Sequence, residues 1–409
     1  MRINHILIRF LFIFLFAFVS FAERVNEQVL DLADVEFVRV LLFDDKPPEN
    51  LRINAVDQSL EFVTDSETIT LFPTDGFVFV RISLGELIVT IRNEEYQTSR
   101  LRVNHQGGLT AIFASANQHR IYHGDFEISV SERNGKLQIV NRVQLEDYVS
   151  SVVGSEMNFT EFEALKSQAV ASRTYALWNI YHSPYKDFDL KDHEQSQVYL
   201  GALPSRPDYR LAAYETKGQI LTWSNRLILA AFSSTCGGST SNNEHIWNGK
   251  ALPYLRGTDD HSMCSLSPHF SWSYSIDVNK FNDFIKQRYG FNHHSMRLIH
   301  SQQGRVETIS LINGSNQELN FQGNEFRLIF NQLVIEQALK STRFDVRADD
   351  QKITFTGNGL GHGVGLCQWG AKGFSEAGWN YNDILSFYFS GTNIVALQDI
   401  KTNKIALSQ

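Results

Sequence analysis

The chain has 409 residues, and 37 Lys and Arg stand against 45 Asp and Glu, so its formal net charge is −8 at pH 7. This balance argues against a nucleic-acid-binding protein, because such proteins need a basic face that releases counterions. With 43% hydrophobic residues, 20% charged residues and 8 prolines, the composition is that of a packed globular protein and not of a disordered one. The length predicts two or three domains.

Residues 1–22 predict a secretory signal peptide. Arg2 and Arg9 flank a polar start, an apolar run covers Phe10–Val19, and Ser20-Phe21-Ala22 places small residues at both recognition positions of a cleavage site. The run is shorter than the about 20 residues that a membrane span needs, and an uncleaved membrane anchor is the alternative. Cleavage removes two arginines and no acid, which leaves a net charge of −10. We therefore expect an exported protein of the periplasm, the cell wall or the medium, with no transmembrane domain beyond this segment.

Residues 23–143 predict a β-rich region. Short alternating or β-branched runs are separated by turn signals, and Asn134-Gly135 predicts a hairpin between the last two runs. The predicted strands are Phe37–Leu42, Phe77–Ile82, Leu87–Ile91, Phe126–Val130 and Leu137–Val140. Together they indicate an antiparallel β arrangement.

Residues 144–275 predict a region of mixed helices and strands, and residues 276–409 predict a further α+β part; the resemblance described below implies that the first is a catalytic core and that the second completes its cleft. Apolar residues at helical spacing predict a helix over Leu145–Ser155, and a second helix runs from Glu161 to about Tyr181. Thr160 and Glu163 have the spacing of a capping box at its start. Further predicted strands are Gln219–Trp223, Leu227–Phe232, Val306–Ile312 and Lys352–Phe355, and further helices are Val278–Tyr289, Trp369–Ala377 and Tyr381–Phe389. The fold class is α+β.

Glu156 is the first candidate for chemistry. It follows Gly154-Ser155 and falls at the break between two predicted helices. A carboxylate partly removed from water at such a position suits general acid catalysis. The alternative is a solvated glutamate at a helix end, because most acidic residues are surface charges.

The second helix offers small and polar residues on one face. Ala164, Gln168, Ala171 and Tyr175 follow one another at spacings of four, three and four. The spacing alone favours close helix packing without chemistry. Arg173 could bind an anion, although pairing with an acid is the commoner role for arginine.

The cysteines leave two alternatives open. In an oxidising compartment Cys236 and Cys264 can form a disulfide across a short loop, which leaves Cys367 over. A zinc site is the alternative, although no CxxC or HxxxH spacing supports it, and we assign no metal and no cofactor. Its candidate ligands are Cys236, His245, His261, Cys264 and His269.

Glycine recurs throughout the segment Gly357–Ala371, which implies backbone at positive φ or close approach to a ligand. No Lys-Ser/Thr follows as in a P-loop and no βαβ unit surrounds it, so a small-molecule cofactor is not predicted. His362 either lines a site or is a hydrogen-bonded histidine in a buried turn. The segment Ser233–Thr240 lacks the GxSxG arrangement, which argues against acyl transfer.

Seven sequence blocks, occurring in order between about Val35 and Ile394, resemble the SpoIID/LytB family of peptidoglycan lytic transglycosylases and amidase enhancers. They are Leu145–Val149, Val153–Met157, Glu163–Ala176, Ser196–Tyr199, Ser234–Gly238, Pro253–Leu255, and Gly361–Gly365 with Gln368–Ala371. Asn158 stands where the family commonly has proline, and Ser233 stands where many relatives have histidine, which counts against a family zinc site.

The resemblance implies that Glu156 is the catalytic acid and base of a lytic transglycosylase that cleaves between N-acetylmuramic acid and N-acetylglucosamine. Its partners would be peptidoglycan glycan strands, with an amidase as a further partner if the protein is instead a non-catalytic amidase enhancer. Trp247 and Trp369 would be stacking platforms for sugars. The implied substrate-binding residues are Gln168, Arg173, Tyr175, Gln197, Tyr199, Ser234, Thr235, His362 and Gln368.

Overall fold

The computed structural model describes residues 35–115, 118–203, 206–247, 249–334 and 338–400. The predicted signal peptide lies outside these ranges. Within them, no helix has both the length and the apolar character that crossing a bilayer requires. The mixture of strands and helices confirms the predicted α+β class.

The strands are numbered in chain order. They are β1 (Phe37–Leu42), β2 (Asn50–Ala55), β3 (Leu60–Val63), β4 (Thr68–Leu71), β5 (Val78–Ser83), β6 (Glu86–Ile91), β7 (Glu94–Thr98), β8 (Arg100–His105), β9 (Thr110–Ser115), β10 (Gln118–Tyr122), β11 (Asp125–Val130), β12 (Leu137–Gln144), β13 (Leu190–Lys191), β14 (Gln219–Trp223), β15 (Arg226–Leu227), β16 (Phe232–Ser233), β17 (Ser271–Asp277), β18 (Ser295–His300), β19 (Val306–Ile312), β20 (Glu318–Gln322), β21 (Phe344–Ala348), β22 (Lys352–Asn358), β23 (Leu366–Cys367) and β24 (Asn393–Ala396).

The α-helices are numbered in the same way. They are α1 (Leu145–Glu156), α2 (Phe162–His182), α3 (Pro207–Glu215), α4 (Val278–Tyr289), α5 (Gly323–Leu333), α6 (Gln368–Glu376), α7 (Tyr381–Tyr388) and α8 (Leu397–Ile400). The chain divides into two compact units. The described part of the first unit lies within 35–231, 371–386 and 392–400, and the described part of the second lies within 232–370 and 387–391. The domain boundaries at 143 and 275 stay predictions.

Two large sheets build the β part of the first unit. Their strand orders are β13-β1-β12-β11-β8-β3-β4 and β10-β9-β2-β5-β6-β7. Burial alternates along strands such as β6, where Leu87, Val89 and Ile91 are buried, because successive side chains point to opposite faces. The predicted hairpin at Asn134-Gly135 is confirmed, since β11 and β12 pair antiparallel on either side of it.

The helices α1, α2, α3 and α8, most of α6 and α7, and a smaller sheet ordered β15-β14-β24 complete the described first unit. α1 extends one residue beyond the predicted helix and ends at Glu156. Its Gly154 lies against α3, because a Cβ there would come within 2.2 Å of the Tyr209 ring. α2 starts after Glu161, so the predicted Thr160 capping box is wrong: Glu163 instead bonds Lys166 at 2.6 Å and the Tyr381 backbone N–H at 2.8 Å.

The second unit has its own aromatic core. Phe281, Phe326, Phe330 and Phe355 are among the buried residues that α4, α5 and the neighbouring strands contribute. Sheets ordered β17-β22-β21 and β18-β19-β20 belong to it, and β16 pairs with β23 in parallel. The bounds predicted for α4 are confirmed. The strand predicted over Leu227–Phe232 is wrong, since β15 ends at Leu227 and β16 begins at Phe232.

Candidate functional site

Glu156 occupies the last position of α1, in the first unit. The apolar face of α1 is buried and fixes the helix, whereas Glu156 itself is partly exposed. Its Oε1 accepts a hydrogen bond of 2.8 Å from the backbone N–H of Val198. A carboxylate at a helix end, oriented by a backbone donor and still reached by solvent, has the geometry that proton transfer to a bound molecule requires.

The segment that contacts Glu156 is fixed from several sides. Tyr148 on α1 donates to Gln197 Oε1 at 3.0 Å, Tyr199 donates to Asn141 Oδ1 at 2.7 Å, and the N–H of Leu200 donates to Ser155 Oγ at 3.3 Å. Tyr148, Gln197 and Tyr199 are fully buried. The position of the Glu156 carboxylate is therefore set by a packed, hydrogen-bonded wall.

Burial controls the charge of the phenols in this wall. It raises the pKa of Tyr148 and Tyr199 well above the ordinary value, and it also raises the pKa of Tyr175. The charge of Glu156 adds to the effect at Tyr148 and Tyr175. These tyrosines are neutral hydrogen-bonding groups at neutral pH, so Glu156 is the group among them that can exchange a proton.

Arg173 does not line an open surface. It is fully buried, and its guanidinium forms a bidentate pair with Glu146 at 2.9 and 2.6 Å. It also donates to the carbonyls of Ala213 and Gln219. The structure thus matches the alternative that Arg173 pairs with an acid, and the substrate-binding role implied by the resemblance is not supported, because the donors of Arg173 are engaged inside the first unit.

Gln168 and Gln197 are interior residues as well. Gln168 is fully buried on α2 and donates to Ser172 Oγ at 2.9 Å, which fits the close helix packing that its spacing favoured. Gln197 Nε2 is buried and has no hydrogen-bond partner among the described residues. Gln197 and Tyr199 belong to the wall behind Glu156, and Gln168 is buried on α2, so none of the three forms an exposed binding surface.

The remaining predicted site residues belong to the second unit. Thr235 is buried and shares a 2.7 Å hydrogen bond with Ser267, Ser234 accepts from the Trp369 N–H at 3.0 Å, and Gln368 is buried. The ring of His362 lies 4.9 Å from the ring of Trp247. Two of the segments that carry cysteines therefore also carry these residues. Ser234 and Thr235 lie next to Cys236, and His362 and Gln368 lie near Cys367 in the chain.

His362 matches the buried-turn alternative in its bonding. Its Nδ1 accepts from the Val364 N–H at 3.0 Å, and burial followed by the charge of Arg305 lowers its pKa to about 3. Positive φ at Gly361 and Gly363 allows the turn, and a Cβ at Gly363 would overlap the Arg305 guanidinium at 1.8 Å. The glycines are needed here for close approach of backbone to a side chain.

Three separate segments bring the cysteines together. The pairing of β16 with β23 sets Ser233 beside Cys367, and Cys236 lies three residues after β16 ends. A turn from Asp260 to Cys264 packs on the same point, since the Asp260 N–H donates to the Gly238 carbonyl at 3.1 Å. One donor atom from each of Cys236, Asp260, Cys264 and Cys367 lies within 4.8 Å of all the others, and all four residues are buried.

The carboxyl group and the three thiols of this cluster are buried close to one another, and their pKa values are shifted as a result. Burial raises the pKa of Asp260 to about 7 and the pKa of Cys236 and Cys367 well above the ordinary thiol value. Hydrogen bonds from the other two thiols, together with the N–H groups of Gly238 and Gly237, lower the pKa of Cys264. Arg305, which donates to the Cys236 carbonyl at 2.9 Å, has its pKa lowered to about 10 by burial.

The structure shows neither the disulfide nor the histidine ligands of the alternative zinc site. The sulfurs of Cys236 and Cys264 are 3.5 Å apart and all three cysteines are free. His245 pairs with Glu307, His261 lies near Asp259 with most of its side chain exposed, and His269 contacts Lys340 at 3.2 Å. Cys367, which the sequence left over, belongs to the cluster, and Asp260 was missed because no ligand spacing marks it.

Sequence comparisons show which known proteins the chain is similar to. Residues 133–223 match a family described as Stage II sporulation protein, and residues 265–365 match a domain of unknown function. The chain is 30% identical to stage II sporulation protein D of Bacillus subtilis over 274 residues, which cover 63% of this chain and 76% of that protein. It is 28% identical over 376 residues to an uncharacterized protein of Brachyspira hyodysenteriae, covering 89% of this chain and 94% of that protein. It is also 27% identical to the amidase enhancer of Bacillus subtilis, covering 61% of this chain and 40% of that protein.

Proposed function

Because the chain belongs to the SpoIID family of stage II sporulation proteins, we propose that it is a peptidoglycan lytic transglycosylase with Glu156 as its general acid and base. The observation that carries the proposal is the placement of Glu156. Its carboxylate ends α1, is oriented by the Val198 N–H and is partly exposed, with a wall of neutral phenols behind it. The interior ion pair of Arg173 with Glu146 is closed and offers no comparable group.

The proposed reaction needs one carboxyl group. Glu156 in its acid form protonates the glycosidic oxygen between N-acetylmuramic acid and N-acetylglucosamine, and that bond breaks as positive charge develops at the muramic acid C1. The 6-hydroxyl of the same sugar then bonds to C1, and its proton passes to the Glu156 carboxylate. The acid is restored and the strand ends in 1,6-anhydro-muramic acid, so no water is consumed.

The proposed location is outside the cytoplasm, where peptidoglycan lies. The predicted signal peptide and the net charge of −10 after its removal fit a secreted protein that recognises sugars and not anionic wall polymers. Trp247 and His362, which are partly exposed, stay proposed substrate-binding residues, whereas Gln368 is buried. We propose instead that Gln197 and Tyr199, which are buried on either side of Val198, support the site.

A second candidate function is favoured by one comparison. The match to an amidase enhancer points to a protein that binds the wall and stimulates an N-acetylmuramoyl-L-alanine amidase without cleaving glycan itself. In that case Glu156 would have no chemical role, and its substitution would leave stimulation unchanged.

The test is a pair of substitutions. Glu156→Gln keeps the shape of the side chain but cannot donate and retrieve a proton, so we expect cleavage of purified glycan strands to fall by about 10²–10⁴-fold. Glu194→Gln serves as the matched control, because Glu194 is exposed in the loop that leads to Val198, and this variant should cleave glycan like the parent chain. Strands with and without stem peptides are compared. Cleavage by Glu156→Gln within a factor of a few of the parent would overturn the assignment.

A second assay, stimulation of a purified amidase by the parent chain and by Glu156→Gln, distinguishes the enhancer function from glycan cleavage. If the parent chain yields no anhydro ends but stimulates the amidase, and Glu156→Gln stimulates it equally, the protein is an enhancer. Circular dichroism and urea unfolding of Glu156→Gln confirm that lost cleavage is not lost folding.

A further inference from the structure

We propose that Cys236, Asp260, Cys264 and Cys367 form a structural zinc site in the second unit. The four side chains are buried, and one donor atom of each lies within 4.8 Å of the others. Four converging donors, three of them sulfur, suit Zn²⁺, which prefers tetrahedral coordination by thiolates with nitrogen or carboxylate ligands. The site is separate from Glu156, which belongs to the first unit.

The spacing between the donors fits a bound metal better than a disulfide. A tetrahedral zinc with Zn–S bonds of about 2.3 Å places its sulfurs about 3.8 Å apart. The Cys236 and Cys264 sulfurs are 3.5 Å apart, whereas a disulfide would bring them to about 2.05 Å. Asp260 Oδ2 lies 2.9 Å from the Cys236 sulfur, so it needs a shift of a fraction of an ångström to become a ligand.

Backbone donors surround the sulfurs in the way that supports thiolate ligands. Cys367 Sγ accepts from the N–H groups of Cys236 at 3.2 Å and Gly370 at 3.3 Å. Cys264 Sγ accepts from the N–H groups of Gly237 and Gly238. Donors of this kind orient metal ligands and stabilise their charge. The packing at Gly370 leaves no room for a side chain, since a Cβ there would lie 1.9 Å from the Tyr388 oxygen and 3.0 Å from Asp260 Oδ2.

The charge around the cluster is the independent observation. Arg305 is fully buried beside it, and its hydrogen bonds go to the Cys236 carbonyl at 2.9 Å and Thr342 Oγ1 at 3.4 Å. Its Nε has no hydrogen-bond partner among the described residues. A buried cation held by neutral groups needs a nearby anion. Three thiolates and a carboxylate around Zn²⁺ carry a net charge of −2, which supplies one, and each protonated thiol releases its proton on binding.

The histidines do not belong to this site. His245, His261 and His269 are engaged elsewhere, and Ser233 accepts from the Gly363 N–H at 3.1 Å. The site therefore uses a Cys₃Asp set drawn from three segments that are distant in sequence. Because it is closed on all sides by protein ligands, it stabilises the fold and has no open position for catalysis.

The experiment measures metal content and the state of the thiols in the purified full chain. We expect about one zinc per chain by mass spectrometry of the metal. We also expect three reactive thiols after denaturation with a chelator and no reductant. Replacement of zinc by Co²⁺ should give the visible and near-ultraviolet bands of a tetrahedral cobalt–thiolate centre. One reactive thiol and no zinc would show a disulfide and overturn the proposal, and so would three reactive thiols without zinc after refolding in added Zn²⁺.

Two aspartates provide a matched pair of variants. Asp260→Asn should weaken zinc affinity by more than the about 10–100-fold that loss of an outer partner costs, whereas Asp259→Asn, next to it and exposed, should bind zinc like the parent. Equal affinity in both variants would remove Asp260 from the site. Cys264→Ser should lose zinc altogether, and if this variant does not fold, the aspartate pair and the Co²⁺ spectrum of the parent still decide the question.

Discussion

The two candidate regions differ in how far solvent reaches their reactive groups. Glu156 sits at a helix end with a backbone N–H on one oxygen and with part of its surface reached by solvent. The cluster of Cys236, Asp260, Cys264 and Cys367 is buried, and its donor atoms face one another. A group that solvent reaches can meet a substrate, whereas buried groups that face one another can hold segments together. This contrast underlies the two proposals, which are chemistry at Glu156 in the first unit and a cross-linking zinc site in the second.

The largest stability effect is expected at the interior ion pair of Arg173 and Glu146. The family resemblance implied that Arg173 binds substrate. Arg173→Met leaves Glu146 buried without its partner, which should cost about 3–5 kcal/mol in the free energy of unfolding. Arg210→Met is the control, because Arg210 is 61% exposed and 4.0 Å from Asp147, where a surface pair contributes about 0–1 kcal/mol. Urea unfolding measures both variants. Equal losses, or a loss at Arg173 below about 1 kcal/mol, would return Arg173 to the list of binding residues.

A smaller effect is expected where α3 packs on the helix that carries Glu156. Gly154→Ala places a Cβ within 2.2 Å of the Tyr209 ring, and overpacking of this kind typically costs about 1–3 kcal/mol. Gly314→Ala, with nothing within 4 Å of its Cβ, is the control and should be neutral within about 0.5 kcal/mol. Because the strain lies two residues from Glu156, we also expect lower glycan cleavage. An unchanged free energy of unfolding in Gly154→Ala would show that α1 and α3 leave room for a methyl group at this position.

The sequence predicted those parts of the fold that local patterns determine. β1, β14 and α4 have the bounds that alternation and helical spacing predict. The capping box failed because Glu163 pairs instead with Lys166, one turn along α2, and accepts from the backbone N–H of Tyr381, a tertiary contact that no local pattern can reveal. The helices α3 and α5 were missed, although the spacing of Phe326 and Phe330 on α5 is a signal that could have indicated a buried helical face.

The candidate sites show the same limit. Glu156 could be proposed from its place at a helix break, because one residue and its neighbours carry that argument. The Val198 contact could not, since it joins residues 42 positions apart. The cluster could not be predicted either, because strand pairing brings Cys236 and Cys367 together across 131 positions and Asp260 stands in no ligand motif.

A pH effect should separate the two units further. The pKa of His362 lies near 3 in the folded chain, whereas an unfolded histidine takes up a proton near about 6.5. The neutral ring therefore stabilises the folded state above about pH 6.5, and this contribution is lost as the pH falls toward 3. The free energy of unfolding in urea should fall less for His362→Asn than for the parent when the pH is lowered from 7 to about 5. The control His294→Asn, at an exposed position, should show the same fall as the parent. Parallel pH curves for all three proteins would contradict this account.

The smallest effect is expected from salt. A chain with a net charge of −10 and no basic run should bind peptidoglycan through sugar contacts, which ionic strength hardly screens. Pull-down on purified peptidoglycan should therefore change little between low and high salt. A steep loss at high salt would mean that anionic wall polymers are the binding partner.

The central claim, that Glu156 cleaves glycan without water, is tested most directly by the products formed in heavy-oxygen water. Purified glycan strands are digested with the full chain, and the new muramic acid ends are weighed by mass spectrometry. The proposed reaction predicts 1,6-anhydro ends, one water lighter than reducing ends and free of heavy oxygen, in the parent chain and not in Glu156→Gln. New reducing ends that carry heavy oxygen, or anhydro ends formed equally by both proteins, would contradict it.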